Sequence, residues 1–255
     1  MKTTAVYFSA TYTTKRITEY IASALSDKSS FIDITNDNSL QPISLSDDEL
    51  LIVGIPVYGG RVPAIATERI KRFKGNNTPA VALAIYGNRH YDDALIELYD
   101  ILTECGFRIV SAGAFIARHS IFTKVASDRP NEQDFNEMDS FAKETLSLIN
   151  GGFTDITLTG NRPYKIPGPA AFFPTASRKC KSCNKCAKLC PTGAINTDDI
   201  RSVDKNKCIQ CGRCVAICPN HSRRFWGHKF LVMSSRFNVT FAQPRPNELF
   251  YAQKR

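Results

Sequence analysis

The sequence predicts two modules of unlike construction: an open, mostly parallel α/β sheet over residues 1–150 and a small cysteine-rich α+β unit behind it. Three observations predict this. Strand-like and helix-like hydrophobic periods alternate from Thr3 to Leu148. Eight of the nine cysteines fall between Cys180 and Cys218. Charge is divided as sharply, because residues 1–170 hold 17 Lys+Arg against 20 Asp+Glu, whereas residues 171–255 hold 16 against 4. The net charge of +9 therefore resides in the last third of the chain.

Taken in order, strands are expected at residues 3–8, 31–34, 50–55, 80–85 and 108–117, with helices at 15–25, 64–72, 92–105 and 132–148. The runs at 50–55 and 80–85 are apolar almost throughout, as strands covered on both faces must be. Five strands interleaved with helices predict the order 2-1-3-4-5, in which ligands sit beyond the carboxyl ends of the strands where strands 1 and 3 diverge. Three loops are thereby singled out. Residues 9–14, Ser-Ala-Thr-Tyr-Thr-Thr, open the first helix with four Ser/Thr hydroxyls beside free N–H groups, which suits a phosphate. An ordinary Ser/Thr helix cap is the plainer reading. Residues 56–63 and 86–93 each place a tyrosine and a glycine just past a buried strand. That arrangement suits a flat aromatic ring such as a flavin, held between loops with the backbone at its edge.

Residues 151–174 carry Pro163, Pro167, Pro169 and Pro174 and read as a connector, either stiff and ordered or a flexible tether. Behind it stand two copies of one pattern, Cys180-x2-Cys183-x2-Cys186-x3-Cys190-Pro and Cys208-x2-Cys211-x2-Cys214-x3-Cys218-Pro. This is the run of bacterial two-cluster ferredoxins. Three thiolates on one turn reach three irons of a cubane, and the fourth, opening a helical turn, points to the neighbouring cluster. One [4Fe-4S] cluster is accordingly assigned to Cys180, Cys183, Cys186 and Cys218, and a second to Cys208, Cys211, Cys214 and Cys190. Disulfides need an oxidising compartment. Zinc suits Cys-x2-Cys pairs but does not account for three evenly spaced cysteines and Cys-Pro, duplicated. A short strand is expected between the runs at residues 200–203. The domain boundaries that follow are 1–150, 151–174, 175–220 and a basic aromatic tail at 221–255.

The quoted residues resemble those of flavodoxin-ferredoxin fusion proteins, which join a flavodoxin-like domain binding FMN to a two-cluster ferredoxin. The likeness runs through residues 8–14, 56–63, 86–95, 161–165, both cysteine runs and residues 245–248. It implies that Ser9, Thr11, Thr13 and Thr14 hold the FMN phosphate, and that Tyr58, Gly59, Gly60, Tyr86, Gly87 and Asn88 flank the ring. Tyr12 stands where flavodoxin phosphate loops usually carry glycine, and its β-carbon resists the left-handed backbone expected there.

A hydrophobic content of 43% over 255 residues excludes wholesale disorder. The apolar stretches at 50–57 and 79–85 fall short of the roughly 20 residues of a membrane span. Residues 1–8 lack the pattern of a secretion signal, so a cytoplasmic location is expected. Cluster charge lowers the +12 of residues 171–255 to about +8, which favours a redox partner with an acidic docking face. The aromatics of the tail are read as packing, and nucleic acid is not expected. The expected function is electron transfer between two [4Fe-4S] clusters, FMN and that partner, with no catalytic side chain required. Two alternatives are a flavin-dependent reductase of a small acceptor, contacted by His90, Arg61 or Arg89, and a basic iron-sulfur binding module.

Overall fold

The computed structural model describes residues 1–39, 41–169 and 171–255. The chain runs β1 (Thr3–Tyr7), α1 (Thr13–Leu25), β2 (Ser29–Asp33), β3 (Ile43–Leu45), β4 (Leu50–Pro56), α2 (Ala64–Ile70), β5 (Phe73–Gly75), β6 (Thr78–Tyr86), α3 (Ala94–Glu104), β7 (Phe107–Ile116) and α4 (Glu132–Gly151). It continues with β8 (Pro174–Ala176), α5 (Lys185–Lys188), α6 (Arg213–Ala216), β9 (Arg223–Phe225), α7 (His228–Thr240) and β10 (Glu248–Tyr251).

The main sheet has the order β10-β7-β6-β4-β1-β2. Its strands β2, β1, β4, β6 and β7 are parallel. They therefore stand in the order 2-1-3-4-5 of a flavodoxin-like, doubly wound sheet. All residues of β4 and β6 are buried, because helices cover both faces. Ile17 and Ile21 of α1 and Met138 and Phe141 of α4 pack on Ala5, Ile52 and Leu83. On the other face Ile70 of α2 and Leu95, Leu98 and Leu102 of α3 pack on Val53, Ile55 and Ala84. β3 and β5 pair separately.

α4 begins with a reciprocal cap, in which the Asn131 side chain accepts from Asp134 N–H and the Asp134 carboxylate accepts from Asn131 N–H. Asp134 is fully buried and also takes Arg129 and the Asn247 amide. That last contact draws the end of the chain onto the sheet.

Residues 221–255 divide between the modules instead of forming one tail. β9 pairs antiparallel with β8 in the small lobe, whereas β10 adds an antiparallel edge to β7, with Leu249 opposite Gly113. Between them α7 lays Phe230 and Phe237 on Phe122 of the first module. The strand expected at residues 200–203 does not form. Ser202 N–H donates to Asp199 O at 3.1 Å, which closes a turn, and Ile200 is buried as an apolar plug without a ladder. The connector lies on the first module: Asp93 accepts from Asn161 N–H at 2.8 Å and from Lys165 N–H at 2.6 Å. Ala170, within the connector, lies outside the described residues.

Candidate functional site

The two cysteine runs repeat in backbone as well as in sequence. Ser182 and Asn184 in the first, at φ 52° and 59°, match Gln210 and Gly212 in the second, at φ 54° and 76°. Left-handed residues on each side of Cys183 and Cys211 turn successive N–H groups inward, the concave arrangement that receives anionic sulfur. One cavity is walled by Cys208, Cys211, Cys214 and, from the first run, Cys190. Cys190 Sγ accepts from Ala194 N–H at 3.3 Å. Cys218, which is not in that lining, accepts at Sγ from Ser222 N–H at 3.3 Å, and the Ser222 hydroxyl lies 3.1 Å away. Ser177 links that turn to the first run, donating to Ser222 O at 2.8 Å and accepting from Cys180 N–H at 3.1 Å. Cys186 is buried in a small apolar cluster against which Cys180 packs, and Cys183 is exposed.

The thiols differ electrostatically. Burial pushes Cys211 up to about 12. At Cys218 burial acts the same way, but hydrogen bonds from the Ser222 hydroxyl and nearby N–H groups outweigh it and hold the thiol down at about 7. Amide donors to sulfur, a cavity bounded by four cysteines and the left-handed turns all fit an iron-sulfur core.

The second site lies beyond the carboxyl ends of β1, β4, β6 and β7. Thr11, Thr13 and Thr14 line one cavity there together with Tyr58, Tyr86 and Gly87. Tyr12 caps α1 at φ 68° and ψ −6°. The left-handed backbone is thus adopted despite its β-carbon, a conformation that costs about 1–2 kcal/mol. Among the described residues the N–H groups of Thr13 and Thr14 have no acceptor, so the opening of α1 faces the cavity with free donors. Gly59 and Gly60 line an adjoining cavity that Tyr58, Tyr86 and Gly87 share. Hydroxyls and free N–H groups at one end, with tyrosines and glycine backbone at the other, fit a phosphorylated flat ring such as FMN.

Residues 175–219 match the family of 4Fe-4S dicluster domains. That segment is an iron-sulfur module, and the chain has a redox role. No curated protein matches the chain. Among solved structures, the chain is similar to a flavodoxin from the domain Archaea, at 15% identity and a TM-score of 0.42 over 59% of this chain and 99% of that one. A flavodoxin of Streptococcus pneumonia TIGR4 is similar at 17% identity and a TM-score of 0.43, over 58% and 99% of the two chains. A WrbA-like flavodoxin protein from Agrobacterium tumefaciens is similar at 12% and 0.41, over 58% and 97%.

The dicluster module and the sheet module meet at these two sites. Arg213, buried between Cys211 and Cys214 in sequence, donates from Nη1 to Ser9 O at 3.0 Å and Ala10 O at 3.4 Å. Its guanidinium lies 5.5 Å from the Tyr12 ring centre. In return Arg69 of α2 donates from Nη2 to Pro191 O at 3.0 Å, on the residue after Cys190. Gly212 allows the close approach: a β-carbon there would lie 3.3 Å from Ser120 O and 3.6 Å from Thr11 Cγ2. Cys211 itself belongs to the apolar core of the sheet module. Burial, and then the Cys211 sulfur, push the Tyr58 hydroxyl well above its ordinary value. Ile209 and Gln210, between two cysteines of the run, line the same cavity as Gly59 and Gly60.

Not every expected residue reaches the cavity. Ser9 Oγ accepts from Lys15 N–H at 3.0 Å and so serves the helix start. Asn88 is consumed by the end of the chain, its amide donating to Phe241 O and Gln243 O at 2.9 Å each and accepting from Arg245 N–H at 2.8 Å. Arg61 is held by Glu97, and Arg89 by Asp92. His119, not singled out by the sequence, lines both cavities. It lies three residues past the end of β7, and position past a sheet strand is the signal that would have found it.

Proposed function

We propose that the chain is an electron-transfer protein in which two [4Fe-4S] clusters and one FMN exchange low-potential electrons with an acidic redox partner. The observation that carries this reading is the shared wall: the loop bearing Cys208 and Cys211 lines the cavity expected to hold the flavin. In the proposed ligation Cys208, Cys211, Cys214 and Cys190 hold the cluster next to the flavin, while Cys180, Cys183, Cys186 and Cys218 hold the outer one. When bound, iron-sulfur cores carry electrons singly and an isoalloxazine accepts two, which would let the chain convert between one- and two-electron traffic.

The chain's own contribution is ligation, spacing and charge. Thr11, Thr13 and Thr14 would hold the phosphate with the free N–H groups of α1, and Tyr58, which lines the same cavity close to Cys211, would shield the ring from water. Arg213 and Arg69 pin the modules, so the gap between the centres is set by hydrogen bonds and not by the connector. From Lys205 to Asn247 the chain has eight Lys+Arg and no Asp or Glu; Arg213 and Arg223 are buried, and the other six are exposed. Trp226, Leu231, Val232 and Val239 are exposed within that segment. A basic surface with an exposed tryptophan and aliphatics supports docking by an acidic protein. Anaerobic analysis of the purified chain is expected to give about eight iron, eight acid-labile sulfide and one FMN per chain. Zinc in place of iron, or full iron with no flavin, would overturn the reading.

A further inference from the structure

We propose that His119 is a positioning residue whose Nε2–H is a fixed hydrogen-bond donor to an acceptor atom on the edge of the flavin ring. The inference rests on the flavin reading above and assigns a role at that site that no motif in the sequence marks. His119 stands three residues past the end of β7 and lines both cavities at the strand ends.

Its tautomer is determined by the backbone. Ile121 N–H donates to His119 Nδ1 at 3.1 Å and Phe122 N–H donates to the same atom at 3.2 Å. A nitrogen that accepts two hydrogen bonds carries no proton, so in the neutral ring the proton is on Nε2. Burial, and then the Arg89 charge, push the imidazole down to about 4, which keeps it neutral at ordinary pH. Among the described residues Nε2 has no acceptor. The ring cannot turn away, because Phe122 and Phe237 pack on it with centroids 5.0 Å distant. Gly87 makes room on the remaining side: a β-carbon there would stand 2.7 Å from His119 Cδ2. A fixed, neutral donor on a half-buried residue that lines a cavity selects an uncharged acceptor such as a ring nitrogen or carbonyl oxygen, and orients the ring that bears it.

The test separates the two nitrogens. In the full-length anaerobic protein, H119N keeps an acceptor where Nδ1 stood and loses the donor, whereas H119Q keeps a donor where Nε2 stood and loses the acceptor. FMN is titrated into flavin-depleted protein and fluorescence quenching is read. H119N is expected to bind FMN roughly tenfold more weakly with a nearly unchanged melting temperature. H119Q is expected to bind within about threefold of wild type but to melt a few degrees lower, having lost the two-donor cap. Equal FMN affinity in the two variants, or weaker binding by H119Q than by H119N, would overturn the proposal. Independently of flavin, long-range ¹H–¹⁵N correlation on histidine-labelled protein at pH 7 is expected to place the His119 proton on Nε2. A proton on Nδ1 overturns the assignment. Wild-type protein that takes up no FMN overturns the electron-transfer reading itself, an outcome distinct from a difference between variants.

Discussion

The two modules share one chain and one interface but are held together by opposite means. The sheet module buries a continuous apolar layer on each face, with Leu51, Val53 and Ile55 to one side and Leu50 and Ile52 to the other. In the dicluster lobe the separate buried cluster consists, among the described residues, of Cys186, Ala187, Ile195, Ile200 and Cys214. Two of those five are proposed metal ligands. Such a lobe cannot offset its chain entropy by burial alone, so metal-thiolate bonds supply the difference. Iron is thus expected to be structural in one module and dispensable to the other, and among the described residues Cys211 is the proposed ligand that also sits in the apolar core of the sheet.

Stripping the iron anaerobically with a chelator is expected to abolish hydrogen-exchange protection over residues 175–220 while β1, β4 and β6 stay protected. Loss of protection in both modules at once would show that they do not differ in this way. The next effect is confined to the sheet module. At Asp134 burial opposes the charged form, but the Arg129 guanidinium, Asn131 N–H and Asn247 amide outweigh it and hold the carboxyl below its ordinary value. Asp134→Asn is expected to cost about 3–5 kcal/mol in urea unfolding, because Arg129 is left without its partner. The sign with pH follows from the depressed value. The stability from ionised Asp134 is present above its unfolded pKa and is lost as pH falls through the lower folded one. The variant should therefore lack that acid limb.

Much of this was legible in the sequence where the signal is local. The apolar runs of β4 and β6 reveal strands covered on both sides, and alternation with helices leads to the 2-1-3-4-5 order. The cysteine spacing carries its chemistry in a few consecutive residues. What escaped depends on distant pairing. Glu248–Tyr251 is too short to declare itself a strand and becomes one only against Ser111–Ala114. β8 and β9 are three residues each and meet across the whole lobe. Ile200 and Val203 look like strand residues because they are apolar, yet they are apolar to fill a metal-bound lobe. Asn88 sits in the expected loop, but its amide is satisfied by backbone more than 150 residues away. His119 lies in no motif, and only the fold brings it to Gly87.

Smaller effects sharpen the interface. Arg69→Gln removes the donor to Pro191 O and is expected to cost about 2 kcal/mol and to slow electron passage from cluster to flavin, measured by stopped-flow absorbance. Both modules should stay folded by circular dichroism. An unchanged rate would mean that the modules are pinned elsewhere. The smallest effect concerns the exterior: exchange with an acidic electron carrier is expected to slow about tenfold between 20 and 200 mM salt, as screening removes attraction to residues 205–247. Exchange indifferent to salt would exclude electrostatic docking on that segment.

Electrons are expected to cross between the two modules inside a single chain. Rapid mixing of the anaerobic oxidised protein with a substoichiometric one-electron donor, followed at cluster and flavin wavelengths over a tenfold range of protein concentration, tests it most directly. A flavin-reduction rate that follows cluster reduction and does not change with concentration is the result expected. A rate that rises in proportion to protein concentration would mean that electrons travel between molecules and not across the interface within one chain.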